Sequence, residues 1–183
     1  MKKLIIILFA ILLLSSCDDK HDTHLDSSSE NNEDSIYYGD YQMGPDDFNN
    51  IIKNNPIDRE YDIESEKFQT SKEFSTFGWV QLEDKYYGIW KDELNEIIKK
   101  LKMKLSDDEY KLLEASQKGW ETYHLKELEF MDQTFLSKGY FGTQGYVTNT
   151  IVKRERIRQR TIQLMEYYFE LNDYQLDFLY KGK

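Results

Sequence analysis

The sequence predicts an all-α protein, a small antiparallel bundle of three main helices that follows a disordered acidic tether. Apolar residues recur at spacings of three and four along three long segments, which indicates helices with one buried face. The 183 residues include only two prolines and nine glycines, too few for a many-turned sandwich. Aromatic residues make up 15% of the chain, which indicates a packed core, and the length fits one or two small domains.

Residues 1–16 have the features of a lipoprotein signal peptide. Two lysines precede Leu4–Leu14, an apolar run too short to span a bilayer, which needs about 20 residues. Leu14-Ser15-Ser16-Cys17 follows and is similar to a bacterial lipobox, in which the chain is cut before the cysteine and the cysteine is acylated. We therefore expect acylated Cys17 to hold the protein on a membrane of the bacterial cell envelope, on the periplasmic face or the cell surface.

Residues 17–36 are expected to form the disordered tether. The stretch 18–50 holds ten acids and one base with few apolar groups, so it cannot bury enough surface to offset its ordering entropy. His21 and His24 lie where the chain lacks the fixed geometry of a metal site, and we predict no metal and no other cofactor. Residues 37–81 carry scattered apolar side chains without a sustained period, which predicts an irregular N-terminal arm.

Residues 82–183 are predicted to be the helical domain. The first helix follows from an inward stripe: Tyr86, Trp90, Leu94, Ile97, Leu101 and Leu105. Ser106-Asp107-Asp108-Glu109 is a capping box that starts the second helix, which ends before the glycine-containing run 139–145. The third helix follows from Val147 to Tyr168. The connection between them carries aromatic residues and is a candidate binding loop, with Tyr140, Phe141 and Tyr146 exposed.

Four polar residues interrupt these apolar stripes: Gln117, His124, Arg154 and Thr161. Buried polar groups need partners, so we expect them to bond to one another, to tyrosine hydroxyls or to water. The alternative is that His124 is a general base oriented by Glu121 or Glu127. No Gly-x-Ser-x-Gly elbow and no second cysteine supply a nucleophile, so we do not predict an enzyme.

The charge distribution bears on the partners. A net charge of -10 argues against nucleic-acid binding, which depends on lysines and arginines at phosphates. A basic run on the third helix places Arg156 and Arg160 on one face and Arg154 and Arg158 on another. We interpret it as a mixture of core partners and solvated surface.

Three features follow one another along the chain in a specific order. They are the spacing Gln117-x-x-Trp120-x-x-Tyr123, a glycine-containing connection, and an arginine-rich last helix with Arg160-x-x-x-Leu164. This order resembles the LprI-like lysozyme-inhibitor family of small helical, secreted or lipid-anchored bacterial proteins, over about residues 82 to 170. The chain departs from the family at His124, where the family has arginine. The two family cysteines fall near Leu128 and Val152, which we expect to be packed apolar side chains.

The resemblance implies that the helical domain binds a protein partner such as lysozyme. It makes Gln117, Trp120, Tyr123, His124 and Arg160 family-motif positions with a structural or partner-binding role. An inhibitor of a cationic muramidase benefits from an acidic surface, yet residues 82–183 hold 18 acids and 17 bases. The alternative function is therefore a structural or interaction lipoprotein of the envelope without inhibitory activity.

Overall fold

The computed structural model describes residues 45–182. The predicted signal peptide, Cys17, the tether over 17–36 and its two histidines lie outside the described residues. The helices are α1 (Pro45–Lys53), α2 (Pro56–Gln69), α3 (Thr76–Lys104), α4 (Asp107–Met131) and α5 (Gln144–Leu171), and a π-helical turn, Asp132–Leu136, extends α4. The all-α class with three main helices is confirmed. Between residues 45 and 182 no helix combines the length and apolarity that crossing a membrane requires.

The prediction of an irregular arm over 37–81 is wrong for the described part, where α1, α2 and the start of α3 are helical. Asn55 caps α2 by accepting a hydrogen bond from the Asp58 N–H, and Pro56 occupies the first turn. Ser75 caps α3, which therefore begins at Thr76. The buried residues of α2 are only Ile57 and Ser65, so its sequence carries too few apolar positions to show a helical period.

Helices α3 and α5 pack side by side and run parallel. Two bonds between them join residues 71 apart: Arg154 Nε donates to Glu83 Oε2 at 2.6 Å, and Thr161 Oγ1 donates to the Trp90 carbonyl at 3.3 Å. The buried apolar residues of this pair are Tyr86, Trp90, Leu94, Ile97 and Leu101 of α3 and Ile157, Leu164, Met165 and Phe169 of α5. The stripe predicted for the first helix is buried up to Leu101, and Leu105 is half-buried.

Helix α4 lies antiparallel to α5. Arg160 contacts Gln117 near the middle of α4, whereas Arg156, one turn earlier on α5, contacts Glu127 further along α4. The predicted capping box at Ser106 is present and starts this helix. The buried side chains of α4 are Gln117 and His124, so polar residues provide its most enclosed contacts with the bundle.

The N-terminal helices cover another side of α5. The Phe48 and Phe169 rings lie 5.5 Å apart. The Asp58 carboxylate accepts hydrogen bonds from Arg158 Nε at 2.9 and 3.0 Å and from Arg158 Nη2 at 2.6 Å. After α5 the chain turns back through Asp173 and Tyr174, both at positive φ. This returning segment, residues 172–182, buries Phe178 and lies along α3, where the Tyr180 N–H donates to Glu93 Oε1 at 2.6 Å.

A buried carboxylate joins three helices. Glu83 is 0% exposed and accepts hydrogen bonds from Tyr61 Oη of α2 at 2.6 Å, Trp79 Nε1 of α3 at 3.0 Å and Arg154 Nε of α5 at 2.6 Å. The Arg154 guanidinium also lies over the Tyr61 ring, 4.2 Å from its centroid. Burial and the hydrogen bond to Glu83 raise the pKa of Tyr61 to about 12. The buried charge is thereby paired and hydrogen-bonded, as a low-dielectric interior requires.

We expect Arg154→Met to lower the free energy of unfolding by about 3 kcal/mol, because it leaves Glu83 buried without its counter-charge. Adding Glu83→Gln should recover part of this loss, since the neutral amide oxygen still accepts from Tyr61 and Trp79. Lys153→Met is the matched control: its ion pair with Asp84 is solvent-accessible and should be worth less than about 1 kcal/mol. Urea denaturation measures all three, and equal losses for Arg154→Met and Lys153→Met would contradict the assignment.

Glu93 gives a second prediction, on pH. Burial raises the pKa of Glu93 despite the Tyr180 and Leu179 N–H groups, so the folded state holds this proton more tightly than the unfolded state does. The wild type therefore loses stability as pH rises from the unfolded-state pKa of about 4.3 through the folded-state value. We expect Glu93→Gln to be more stable than wild type at neutral pH, because the neutral amide avoids the cost of burying a charge. The free energies of unfolding of wild type and Glu93→Gln should converge near pH 4, where Glu93 is protonated in the folded wild type.

Unfolding curves recorded from pH 4 to pH 8 check this prediction. The exposed Glu170→Gln is the control and should stay within about 0.5 kcal/mol of wild type across the range. A Glu93→Gln variant that is less stable than wild type at neutral pH would show that the carboxylate is needed in its charged form.

Candidate functional site

The motif residues of α4 meet Arg160 of α5 around a cavity of about 500 Å3. The side chains that line this cavity are Trp120, Tyr123, His124, Arg156, Gln159, Arg160 and Gln163. Gln117 lies behind the lining, where its Oε1 accepts from Arg160 Nε at 3.0 Å. The structure therefore brings together all five motif positions that the sequence singled out. We call this space the motif cavity.

Arg160 is held by three uncharged acceptors. Its Nη1 donates to Gln163 Oε1 at 2.7 Å and its Nη2 donates to Ser116 Oγ at 3.2 Å, in addition to the bond to Gln117. The residue is 7% exposed, and burial lowers the pKa of its guanidinium. The motif glutamine thus positions a buried arginine at the cavity wall.

His124 is a stacked, unpaired imidazole. Its ring lies nearly parallel to the Trp120 ring, with centroids 5.0 Å apart, and faces the Tyr87 ring of α3 at 6.4 Å. The residue is 3% exposed, and neither ring nitrogen has a hydrogen-bond partner among residues 45–182. Burial lowers the pKa of His124, and the positive charges of Arg156 and Lys153 lower it further. A neutral imidazole therefore faces the cavity near neutral pH.

The four polar residues of the apolar stripes do not form one network. Gln117 bonds to Arg160, whereas Thr161 donates to the backbone carbonyls of Ile157 and Trp90. Arg154 pairs with Glu83 on the opposite side of α5, and His124 has no hydrogen-bond partner among the described residues. Of the partners expected for these four residues, bonding to one another is not found, because Arg154 and Thr161 face α3 whereas Gln117 and His124 lie on the side of α4.

The general-base hypothesis for His124 also lacks its orienting carboxylate. Glu121 accepts a hydrogen bond from Gln117 Nε2 at 3.1 Å, and Glu127 accepts one from Arg156 Nη2 at 3.3 Å. Neither carboxylate is bonded to the imidazole. The His124 dyad is therefore not formed, and a catalytic role for this residue has no support in the geometry.

The α4–α5 connection forms an aromatic tip, which we define as Phe130, Tyr140, Phe141 and Tyr146. Tyr140, Phe141 and Tyr146 are 70%, 51% and 49% exposed, and Tyr146 lies in the first turn of α5 rather than in a loop. The half-buried Phe135 ring holds the tip together, with centroids 5.3 Å from Phe141, 6.3 Å from Tyr140 and 5.6 Å from Phe130.

Glycines shape this connection. Gly139 and Gly142 have φ of 72° and 56°, a region that side chains other than glycine rarely adopt. At Gly145 a Cβ atom would lie 2.6 Å from the Phe141 Cβ, so only glycine lets the start of α5 pack against the tip. The glycines and the backbone hydrogen bonds of the connection therefore fix the backbone conformation that presents the aromatic residues to solvent.

A second, mainly apolar cavity of about 500 Å3 lies beside the tip. Its wall includes Met131, Phe141, Gly145 and Val152. Arg156 lines both this cavity and the motif cavity. Val152 is exposed and Leu128 is half-buried, so the expectation that both family-cysteine positions would be packed is wrong for Val152.

Sequence reasoning did not assign several residues to the site. Arg156, Gln159 and Gln163 line the motif cavity, and Tyr87 comes from α3. The sequence placed Arg156 and Arg160 on one face without assigning that face to the site, and the i, i+4 spacing of Gln159 with Gln163 could have indicated that the polar face extends further. Nothing in the sequence marks Tyr87 as the residue that faces His124.

The fold and the motif cavity define a small all-α protein in which a Gln-x-x-Trp-x-x-Tyr helix packs against an arginine-bearing helix. The chain belongs to the lysozyme inhibitor LprI family, whose profile matches residues 69–164, just over half of the sequence. The resemblance deduced from the motif is thereby confirmed, and the match begins earlier than the expected residue 82. The family is one of inhibitors rather than enzymes. No curated protein and no solved structure matches the chain.

The stacked imidazole gives a prediction on acid stability. Because the pKa of His124 is lowered by folding, the unfolded state takes up its proton first, and stability is lost as pH falls below about 6.5. We expect His124→Phe, which keeps a ring between Trp120 and Tyr87, to lose less stability than wild type between pH 7 and pH 5. Thermal unfolding at the two pH values measures this, and identical losses would contradict a buried neutral imidazole.

Proposed function

We propose that this protein is a lipid-anchored lysozyme inhibitor of the bacterial cell envelope, and that the aromatic tip is the surface that contacts lysozyme. Family membership supports inhibition as the class of activity. The observation that carries the choice of surface is the exposure of Tyr140 and Phe141 on a glycine-shaped connection and of Tyr146 in the first turn of α5 that follows it. Aromatic side chains held rigidly at a protruding end are typical anchors of protein interfaces.

The anchor and the tether complete the proposal. The lipobox-like Leu14-Ser15-Ser16-Cys17 supports acylation, and the acidic residues 17–36 would form the tether between the anchor and the helical domain. Such a tether lets the tip search for a soluble partner. Mass spectrometry of the mature N-terminus and the release of a Cys17→Ala variant into the soluble fraction test this part.

Inhibition is tested with the soluble chain from residue 18 in a muramidase assay on cell walls. We expect saturable inhibition that reaches completion at molar excess. Lysis that is unchanged at large excess would remove the inhibitor function and leave the alternative, an envelope interaction lipoprotein without inhibitory activity.

The tip has its own prediction. We expect Tyr140→Ser combined with Tyr146→Ser to weaken inhibition at least tenfold, about 1.4 kcal/mol, because both side chains would lose buried apolar contact with the partner. Tyr167→Ser is the matched control: it is a tyrosine of similar exposure on α5, roughly 30 Å along the helix from Tyr146. Equal inhibition by the double variant and wild type would place the interface elsewhere.

A further inference from the structure

The arginines of α5 divide between two faces that differ in how their charges are compensated. On the face toward α2 and α3, Arg154 pairs with the buried Glu83, and Arg158 pairs with Asp58 through three hydrogen bonds of 2.6 to 3.0 Å. Each of these guanidinium groups has a carboxylate in direct contact. The charge on this face is neutralised inside the protein.

The face toward α4 is not neutralised in the same way. Arg160 is bonded to Gln117, Gln163 and Ser116, all uncharged. Arg156 has one carboxylate contact, from Nη2 to Glu127 at 3.3 Å, and its Nη1 is buried without a partner among the described residues. Both guanidinium groups line the motif cavity.

His124 also lines this cavity. Both of its ring nitrogens are buried without a partner among residues 45–182, although buried polar groups in folded proteins almost always have one. Within the described residues, the cavity is thus lined by a buried arginine without a counter-ion, an arginine with an unpaired guanidinium nitrogen and a histidine with an unpaired imidazole. The missing partner of such a set is an oxyanion, which accepts charge-assisted hydrogen bonds from planar guanidinium groups.

We propose that the motif cavity binds a small molecule that carries a carboxylate or phosphate group, with Arg156, Arg160 and His124 as its ligands. Its volume of about 500 Å3 lies within the range of small-molecule sites. Trp120 and Tyr123 supply apolar walls for the rest of the ligand. A free small molecule fits better than a side chain of a folded partner, because Arg160 and His124 are 7% and 3% exposed and lie below the surface.

The motif cavity and the aromatic tip are different parts of the molecule. Anion binding in the motif cavity can therefore be tested without reference to lysozyme inhibition.

The probes are citrate and inorganic phosphate, titrated into the chain from residue 18 by isothermal calorimetry. We expect saturable one-to-one binding of at least one probe, together with a change in the side-chain NMR signals of His124. These signals are assigned by comparison with His124→Phe. Citrate binding alone would identify a carboxylate site and phosphate binding alone a phosphate site. The absence of saturable binding of both probes up to about 10 mM would overturn the proposal.

Variants locate the binding. Arg160→Gln and Arg156→Gln should each weaken binding about tenfold or more, as expected for the loss of a charge-assisted hydrogen bond. Lys99→Gln is the matched control, because it removes the same charge from an exposed position on α3 and should change the affinity less than twofold. Arg156 is the more exposed of the two arginines, so its variant gives a reading even if Arg160→Gln does not fold. Unchanged affinity in folded Arg156→Gln would mean that the anion binds elsewhere.

Discussion

The buried carboxylate of Glu83 is the constraint on which the arrangement of this bundle depends. It lies where α2, α3 and α5 meet, and each helix donates one hydrogen bond to it, from Tyr61, Trp79 and Arg154. A fully buried charge tolerates little displacement of its partners, because each lost bond leaves an uncompensated group in a low-dielectric interior. The Glu83–Arg154 contact therefore sets the register of α5 along α3, and the Thr161 bond to the Trp90 carbonyl repeats the same offset two turns later.

This register decides what α5 presents to α4. With Arg154 and Thr161 turned toward α3, Arg156 and Arg160, which lie one turn apart on another face of α5, point toward α4. Helix α4 meets them with Gln117, Trp120 and His124 and buries no fully apolar side chain there. The motif shared with the family thus contributes to the packing of α4 against α5. The motif cavity lies between the polar face of α4 and the basic face of α5. No disulfide joins the two helices, since Cys17 is the only cysteine of the sequence.

The sequence predicts the three long helices well because each helix buries one face. The residues of that face recur at spacings of three and four whatever residues occupy the exposed positions. It fails for α2, whose helix depends on the Asn55-Pro56 cap and on only two buried positions. Spacing also identified the α4 part of the motif, because Gln117, Trp120 and His124 recur at intervals of three and four on one face of that helix. The partners of Arg154 and His124 could not be deduced in the same way. They depend on which faces of different helices meet, and nothing distinguishes Glu83 from the other acids in the sequence.

The register has a kinetic consequence. Glu83 and Arg154 are separated by 71 residues, Asp58 and Arg158 by 100, and Phe48 meets Phe169 across a greater distance in the chain. Helical bundles usually fold fast because neighbouring helices pair first, and the entropy of closing large loops slows chains whose core joins distant segments. Here the central pair is the first and last of the three long helices, so the core closes late.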